Sequence, residues 1–411
     1  MNHATSIQLR LLQALDKQSE TVVSLQKELV ARPALGPENN GSGEGDKAAF
    51  LLQTLKDSGI SDITEINAPD PRVATGVRPN IAARIPGQDQ ASTLWIVSHM
   101  DVVPPGEPSL WNTDPFQLHQ EGDLIFGRGV EDNHHGLVAS FLAATTLLDS
   151  GTLPRTNLGL LFVADEETGN AYGLKYVFDH HEHLFGPNDR FLVPDFGTPD
   201  SGMIEVAEKS LLWLKFTLSG KQCHASTPHL GLNTFVATAD LVLRLRELYT
   251  RFNTRDDRFD PPYSTFEATK KEANVPNINS IPGKDVFYLD CRILPDIDLN
   301  EVFHAVDELS RETAEDWGVS VDRDIVHQES SPSTPEDAPL VQELIQAVEA
   351  VTGHTPRPQG IGGGTVASFP RKKGYPATVW ATLLGNAHQP NEHTSIRSIL
   401  LDAKVMTLLC L

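Results

Sequence analysis

Histidines and carboxylates stand where several apolar stretches of this sequence end. "TLWIVSH" ends on His99, and "NLGLLFVADEE" ends in three consecutive acids. The complete set is His99, Asp101, Asp132, Asp165, Glu166, Glu167, Asp195 and His388. Two histidines with several carboxylates and no cysteine form a donor set that suits zinc, cobalt or manganese. Such a concentration of acids is repulsive unless cations neutralise it. The set therefore predicts a metal centre.

The His-x-Asp pair is the clearest element of this pattern. We interpret His99 as a metal ligand and Asp101 as an outer carboxylate that fixes the tautomer of the His99 ring. Alone, such a pair is more typical of a surface hydrogen bond, and "DEE" alone is typical of a solvated acidic turn. Their conjunction at successive strand ends favours the metal centre.

A second histidine cluster has a simpler interpretation. The stretch "HHEH" contains His180, His181 and His183. No carboxylates converge on it in the sequence pattern, so we interpret it as a solvated helix face and not as a metal site.

The elements around these residues indicate an α/β fold. "TLWIVSH", "NLGLLFVADEE" and "RFLVPDFG" are almost continuously apolar, as expected for strands of a parallel sheet covered on both faces. "HGLVASFLAATTLLDSG" between the first two is predicted as a helix. We therefore predict a doubly wound, mainly parallel-sheet domain, in which ligands bind at the carboxyl ends of the strands.

A different pattern begins near Leu211. Strand and helix signals follow in the order β-α-β-β-α-β, which is typical of a ferredoxin-like domain. We predict that residues 1–210 and 330–411 form the metal-binding catalytic domain. Residues 211–329 interrupt it as a second domain, called the lid domain below. The first helix is predicted within residues 1–33, where apolar residues recur at helical period.

Composition excludes several classes of protein. The 411 residues contain 33 Lys and Arg against 55 Asp and Glu, a formal net charge of −22, which disfavours nucleic acid or an anionic membrane as partner. Cys223, Cys291 and Cys410 form no CxxC pair, which fits a reducing compartment. No apolar run is long enough for a membrane span, and no secretory signal pattern is present, so a cytoplasmic location is expected.

The motifs, taken in order, resemble the dinuclear-zinc metallopeptidase and deacylase family, peptidase family 20. They read "VSHMDVVP", "WNTDPF", "GRGVEDN", "DEETG", "HASTPHLGLN", "NSIPG", "DCR", "GGGT" and "AHQPNE". That family includes succinyl-diaminopimelate desuccinylase, acetylornithine deacetylase, aminoacylase, glutamate carboxypeptidase and carnosinase-type dipeptidases. The resemblance spans residues 99 to 392 and so covers most of the chain.

The resemblance implies two divalent metal ions, with zinc first and cobalt or manganese as alternatives. His99 and Asp195 would hold one ion, Glu167 and His388 the other, and Asp132 would bridge both. Asp200 in "GTPDSG" is a rival to Asp195. The resemblance also implies a cis peptide bond between Asp132 and Asn133.

Further roles follow from the same resemblance. Glu166 matches the general base, and Glu166, Asp101 and His224 are the predicted catalytic residues. His224 matches a histidine that crosses a dimer interface to stabilise the oxyanion of the partner's substrate. Substrate-binding positions are Asn279 and Arg292, which resemble a clamp for a substrate carboxylate, and Gly363, Gly364 and Thr365 in the glycine run.

One departure distinguishes this chain. The family motif continues with Lys-Gly after the bridging aspartate, whereas here Asn133, His134, His135 and Gly136 follow Asp132. The departure leaves the ligands intact, but it weakens assignment to any one named subgroup.

We therefore expect a hydrolase that cleaves the amide or peptide bond of a small carboxylate-bearing substrate. The substrate is a dipeptide or an N-acyl amino acid, and the "EDN" departure favours peptide hydrolysis. One alternative is N-deacylation of the acetylornithine deacetylase or succinyl-diaminopimelate desuccinylase type. An alternative of another class is a metal-dependent binding protein for peptides or amino acids without turnover. A homodimer formed through the lid domain is expected.

Overall fold

The computed structural model describes residues 3–411 and separates them into two compact units. The first unit runs through Val206 and resumes at Thr334–Pro358 and Thr365–Leu411. The second unit consists of Ala207–Ser333 and Gln359–Gly364. The helices are α1 (His3–Leu15), α2 (Ser19–Val30), α3 (Gly45–Asp57), α4 (His134–Asp149), α5 (Leu174–His180), α6 (Thr234–Leu245), α7 (Leu248–Arg251), α8 (Leu299–Trp317), α9 (Pro339–Thr352), α10 (Ser368–Lys372) and α11 (Ile396–Leu409).

The strands number seventeen among the described residues. They are β1 (Asp62–Pro69), β2 (Val77–Ile85), β3 (Asp89–His99), β4 (His119–Glu121), β5 (Leu124–Phe126), β6 (Thr156–Val163), β7 (Arg190–Val193), β8 (Met203–Glu208), β9 (Ser210–Ser219), β10 (Cys223–His224), β11 (Thr265–Lys271), β12 (Ser280–Ile281), β13 (Lys284–Ile293), β14 (Ser320–Glu329), β15 (Arg357–Ile361), β16 (Ala377–Val379) and β17 (His393–Ser395).

The large sheet has the strand order β1-β2-β6-β3-β7-β16-β8-β15. Its four central strands, β6, β3, β7 and β16, run parallel, whereas β1 and β2 add an antiparallel edge. This confirms the predicted α/β fold with a mainly parallel sheet. The β1–β2 pair was not anticipated, because its strands lack the continuous apolar run of the central ones.

Strand β3 delivers the first histidine of the predicted site. Its second half is buried on both faces, as its apolar run indicated. Asp189 anchors it by accepting hydrogen bonds from the backbone N–H of Thr93 and the indole N–H of Trp95, both at 2.8 Å. The Trp95 ring packs edge-on against Phe185, with the centroids 5.5 Å apart. This packing fixes the strand that ends at His99.

Helices of the first unit cover the sheet. Helix α4 is buried along most of its length and packs against β3, β6 and α11. The amino-terminal segment differs from the single helix expected from its periodicity, because α1 and α2 are separate. A turn forms at residues 16–18, where Gln18 accepts a hydrogen bond from the hydroxyl of Thr21 at 2.6 Å.

The second unit contains a four-stranded antiparallel sheet in the order β11-β13-β9-β14. Along β9, residues alternate between the core and the other face, so Leu214 and Phe216 are buried while Trp213 is exposed. Phe216 stacks on Phe287 with centroids 4.7 Å apart. Asn233 caps α6 by accepting from the N–H of Phe235 at 3.1 Å. The observed β-α-β-β-α-β order agrees with the sequence pattern.

Two findings bear on composition. Cys223, Cys291 and Cys410 are free thiols, the last two buried. Among the helices that the structure describes, none has both the length and the apolar character needed to cross a bilayer.

Candidate metal centre

The first ligand group forms at the end of β3. The Nε2 atom of His99 lies 2.8 Å from Oδ1 of Asp132 and 3.3 Å from Oδ1 of Asp195. The other ring nitrogen, Nδ1, lies 2.9 Å from the backbone carbonyl oxygen of Asp101, to which an Nδ1–H can donate. An Nδ1–H held there would leave Nε2, which faces the two carboxylates, as the nitrogen available to a metal ion.

The second group shares Asp132 with the first. The Nε2 atom of His388 lies 3.2 Å from Oδ2 of Asp132 and 3.1 Å from Oε2 of Glu167. The two oxygens of Asp132 therefore face two different histidines. Within each trio the ligand atoms lie no more than 4.8 Å apart. This donor set of imidazole nitrogens and carboxylate oxygens around a shared aspartate fits two divalent cations of the zinc type.

The histidines and carboxylates of the centre shift one another's pKa values. Hydrogen bonds to Asp132 and Glu167 raise the pKa of His388 to about 10. Burial favours neutral His99, but the nearby carboxylates outweigh it and raise its pKa above the usual range. Burial by itself opposes ionisation of Asp132, but its hydrogen bonds to His388 and His99 lower its pKa. A cation bound by these histidines would compete with protons for the same nitrogen atoms.

Asp195, and not Asp200, completes the first group. Asp200 is exposed and bonds within its own turn, where its Oδ1 accepts from the Thr198 hydroxyl at 2.6 Å. The histidines of the HHEH stretch belong to no candidate ligand group in the described part of the chain. His180 and His183 are exposed, and the His180 ring packs on Tyr176 at 4.4 Å between centroids.

Glu166 lies in the turn beside the ligands but belongs to neither trio. Burial, and then the charge of Asp195, raise the pKa of its carboxyl well above the usual range. Glu167, the next residue, points to His388 instead, with Oε1 3.2 Å from Nε2. The two adjacent glutamates thus aim in different directions.

Asp101 contacts both His99 and the turn that carries the two glutamates. Its carboxylate lies 3.6 Å from Nδ1 of His99, and its backbone carbonyl oxygen lies closer to the same atom, at 2.9 Å. The carboxylate accepts from the backbone N–H groups of Glu166 at 3.1 Å and Glu167 at 3.0 Å. Asp101 therefore fixes the turn that carries the two glutamates.

Two buried glutamates missed at the sequence level connect the loops of Asp132 and His388. The Glu392 carboxylate accepts from the backbone N–H groups of Gly129 (2.9 Å), Glu131 (2.9 Å) and Asp132 (3.1 Å). In return, the Glu131 carboxylate accepts from Gly385 at 2.7 Å and Asn386 at 3.0 Å. Both acids lie inside motifs quoted above, "GRGVEDN" and "AHQPNE". An acidic residue within such a short loop was the sequence signal that could have identified them.

The residues that follow Asp132, where this chain departs from the family motif, also hold the ligand side chains in place. The Asp132–Asn133 peptide bond is cis, as the resemblance implied. The Asn133 amide donates to Oδ1 of Asp195 at 2.5 Å and to the Pro194 carbonyl at 2.7 Å. His135 lies 2.8 Å from Asp402 through Nε2, within the core. Asn133 thus orients a ligand carboxylate.

The other predicted residues lie mainly in the second unit. His224 is exposed, with Nδ1 2.7 Å from the Ser226 hydroxyl, and the backbone of Asn279 accepts from Ala225 at 2.9 Å. Arg292 is half-buried and donates to Asp290 at 2.7 Å and to the Gly362 carbonyl at 3.0 Å. Gly363 and Gly364 are exposed beside that contact, whereas Thr365 begins the last segment of the first unit.

Comparisons with a family sequence model, with related sequences and with solved structures agree with one another. The sequence model of peptidase family M20/M25/M40 matches residues 95–411. An uncharacterized metallohydrolase of Methanococcus maripaludis is 37% identical over 94% of this chain and 97% of its own length. A succinyl-diaminopimelate desuccinylase of Dinoroseobacter shibae is 28% identical over 92% and 95% of the two chains. The solved aminopeptidase PepT of Bacillus cereus has a TM-score of 0.76 at 19% identity, covering 95% and 98%, which shows a shared fold.

Proposed function

Because the chain belongs to peptidase family M20/M25/M40, we propose that this metallohydrolase cleaves the amide or peptide bond of a small substrate that bears a free carboxylate. The substrate is a dipeptide or an N-acyl amino acid. The observation that carries the proposal is the geometry of Asp132, whose two oxygens face His99 and His388 in two separate ligand groups.

The bound cations and the side chains of the protein would contribute different parts of the reaction. Two bound divalent ions, zinc first, would lower the pKa of a water molecule so that it can attack near neutral pH. Glu166 would accept a proton from the attacking water and return it to the amine nitrogen as the C–N bond breaks. Burial and the charge of Asp195 raise the pKa of Glu166 well above its usual range, which supports a role in proton transfer. The products are a carboxylate and an amine.

The residues of the second unit are proposed to bind substrate. Arg292 would pair with the substrate carboxylate in place of part of its contact with Asp290, assisted by Asn279 and the exposed backbone of Gly363 and Gly364. Thr365 follows that glycine run. We also propose that residues 211–329 form the lid and dimer interface, with His224 acting on the partner's substrate, and that the enzyme is cytoplasmic.

N-deacylation is the second candidate. The desuccinylase of Dinoroseobacter shibae favours it, since that relative aligns over almost the whole chain. Both reactions place a carboxylate near the scissile amide, so Arg292 does not separate them. The "EDN" sequence at residues 131–133 favours peptide hydrolysis.

The test is a substrate panel. Zinc- or cobalt-loaded protein is incubated with dipeptides, N-acetyl amino acids and N-succinyl amino acids, and mass spectrometry identifies the cleaved class. Glu166→Gln is expected to keep both metals and lose about 10³-fold or more in turnover. Glu65→Gln, an exposed change on β1, is the matched control and should behave as wild type. Near-normal turnover of Glu166→Gln would remove Glu166 from the mechanism, and metal binding without cleavage would favour the binding-protein alternative.

A further inference from the structure

A lysine is buried next to the metal centre. Lys47 lies in the first turn of α3, and only 1% of its surface is exposed. Its Nζ donates to the carbonyl oxygen of Met100 at 2.7 Å and contacts Nε2 of His134 at 2.7 Å. Lysine is rarely buried so completely unless a specific partner holds it.

The two partners of Lys47 belong to different ligand loops. Met100 stands between His99 and Asp101, and its own N–H donates to the Val163 carbonyl at 2.8 Å. His134 follows the cis peptide by one residue and is two residues from Asp132. One amino group therefore bridges the turn after His99 and the turn after Asp132.

The contacts of His134 agree with this bridge. Its Nε2 atom faces the Lys47 amino group at 2.7 Å. The other ring nitrogen, Nδ1, is buried and has no hydrogen-bond partner among the described residues. The contact between Nε2 and Lys47 is therefore the hydrogen bond that orients the His134 ring.

The bridge does not depend on the charge of the amino group. Burial lowers the pKa of Lys47 to about 7, while Asp101, Glu44 and Glu392 favour its charged form. Either form has the two N–H groups that Met100 and His134 require. The stretch after Asp132 contains no lysine, and Lys47 supplies an amino group to it from a helix 87 residues earlier.

We propose that Lys47 is a positioning residue that fixes the spacing between His99 and Asp132 by holding Met100 and His134. This role rests on the proposed function, since it gives Lys47 a task only where His99 and Asp132 bind metal. Lys47 touches neither substrate nor reacting atoms, and it acts through the backbone of one loop and the side chain of the other.

The experiment compares Lys47→Met with Lys56→Met, an exposed change on the same helix. Metal affinity is measured by competition with a chelator, and the cobalt absorption spectrum reports ligand geometry. Lys47→Met is expected to bind metal about 10- to 100-fold more weakly, as changes in outer-shell partners commonly do, and to shift the cobalt bands. Lys56→Met is expected to match wild type in both measurements.

A second pair of variants covers the case in which Lys47→Met does not fold. His134→Gln keeps an acceptor for the amino group, whereas His134→Leu removes it. Weaker metal binding by the leucine variant, largely restored in the glutamine variant, would support the bridge. Folded variants with wild-type metal affinity and cobalt spectrum would overturn it. Wild-type protein that binds no metal would instead remove the proposed function, so the two failures are distinguishable.

Discussion

The metal centre and the substrate-binding residues are built in opposite ways. Around the metal centre, backbone N–H groups and buried side chains hold nearly every functional residue, as Glu392 holds the loop of Asp132 and Asp101 holds the turn of Glu167. In the second unit, His224 and Asn279 are exposed, and Arg292 is paired with a neighbour on its own strand. The candidate metal centre is held by many buried hydrogen bonds, whereas the residues proposed to bind substrate are more exposed.

The largest expected effect is at the shared aspartate. Asp132→Ala should lose both metal ions and essentially all activity, because each ligand group contains one Asp132 oxygen. His388→Ala should lose one ion and retain the other, held by His99, Asp132 and Asp195. Metal content per chain, measured by mass spectrometry of the elements, separates the two variants.

Retention of one full equivalent of metal by Asp132→Ala would show that Asp132 does not bridge. The exposed change Asp200→Ala is the matched control, since Asp200 belongs to neither ligand group, and it should keep both ions.

The second-largest effect on turnover is expected at the exposed His224. His224→Ala should reduce turnover by about 10²- to 10³-fold, the scale of losing one oxyanion donor, without changing metal content. If His224 serves the partner's centre, mixing His224→Ala with Glu166→Gln chains should recover activity, because one composite site per mixed dimer then has both groups.

Size-exclusion chromatography with light scattering should accompany the mixing experiment and show a mass near twice 45.0 kDa. A fully active monomer, or mixed chains that remain inactive although subunits exchange, would contradict the cross-subunit role. His229→Ala, another exposed histidine in the same loop region, serves as control.

The smallest effect is expected at the arginine. Arg292→Met should raise KM about 10- to 100-fold with a smaller change in kcat, since it removes binding of the substrate carboxylate and leaves the metal centre intact. Steady-state kinetics on the substrate identified by the panel measure both constants. With an amidated analogue that lacks the carboxylate, Arg292→Met and wild type should have similar KM values. A fall in kcat alone would place Arg292 in the chemistry and weaken the contrast between the two regions.

The sequence indicated the candidate ligands, but it gave little indication of the residues that hold them in place. His99, Asp132, Glu167 and His388 are marked by strand ends and motifs, and the choice between Asp195 and Asp200 needed coordinates. The hydrogen bonds of the Asp101 carboxylate to the backbone of Glu166 and Glu167 were not predicted, because residue type alone does not show which donors a carboxylate will face. Lys47 gave no sequence signal at all, since a lysine in an amphipathic helix normally faces solvent.

The fold, like the site, was predictable from the sequence only in part. The central strands were predictable because a parallel sheet requires continuous apolar runs. The β1–β2 edge was not, since its half-exposed residues lack that pattern. The break between α1 and α2 was missed because apolar periodicity continues across it, and only the local hydrogen bonds of residues 16–18 show where the helix stops.

The reciprocal carboxylates of Glu131 and Glu392 also constrain how the protein can be made. The Asp132 loop depends on an acceptor 260 residues further along the chain, and the second ligand group requires His388. During synthesis, a nascent chain that has emerged as far as residue 206 has the first trio of ligands but neither His388 nor Glu392. The complete centre can assemble only after the intervening second unit has left the ribosome, so truncated translation products would lack a finished hydrolytic site.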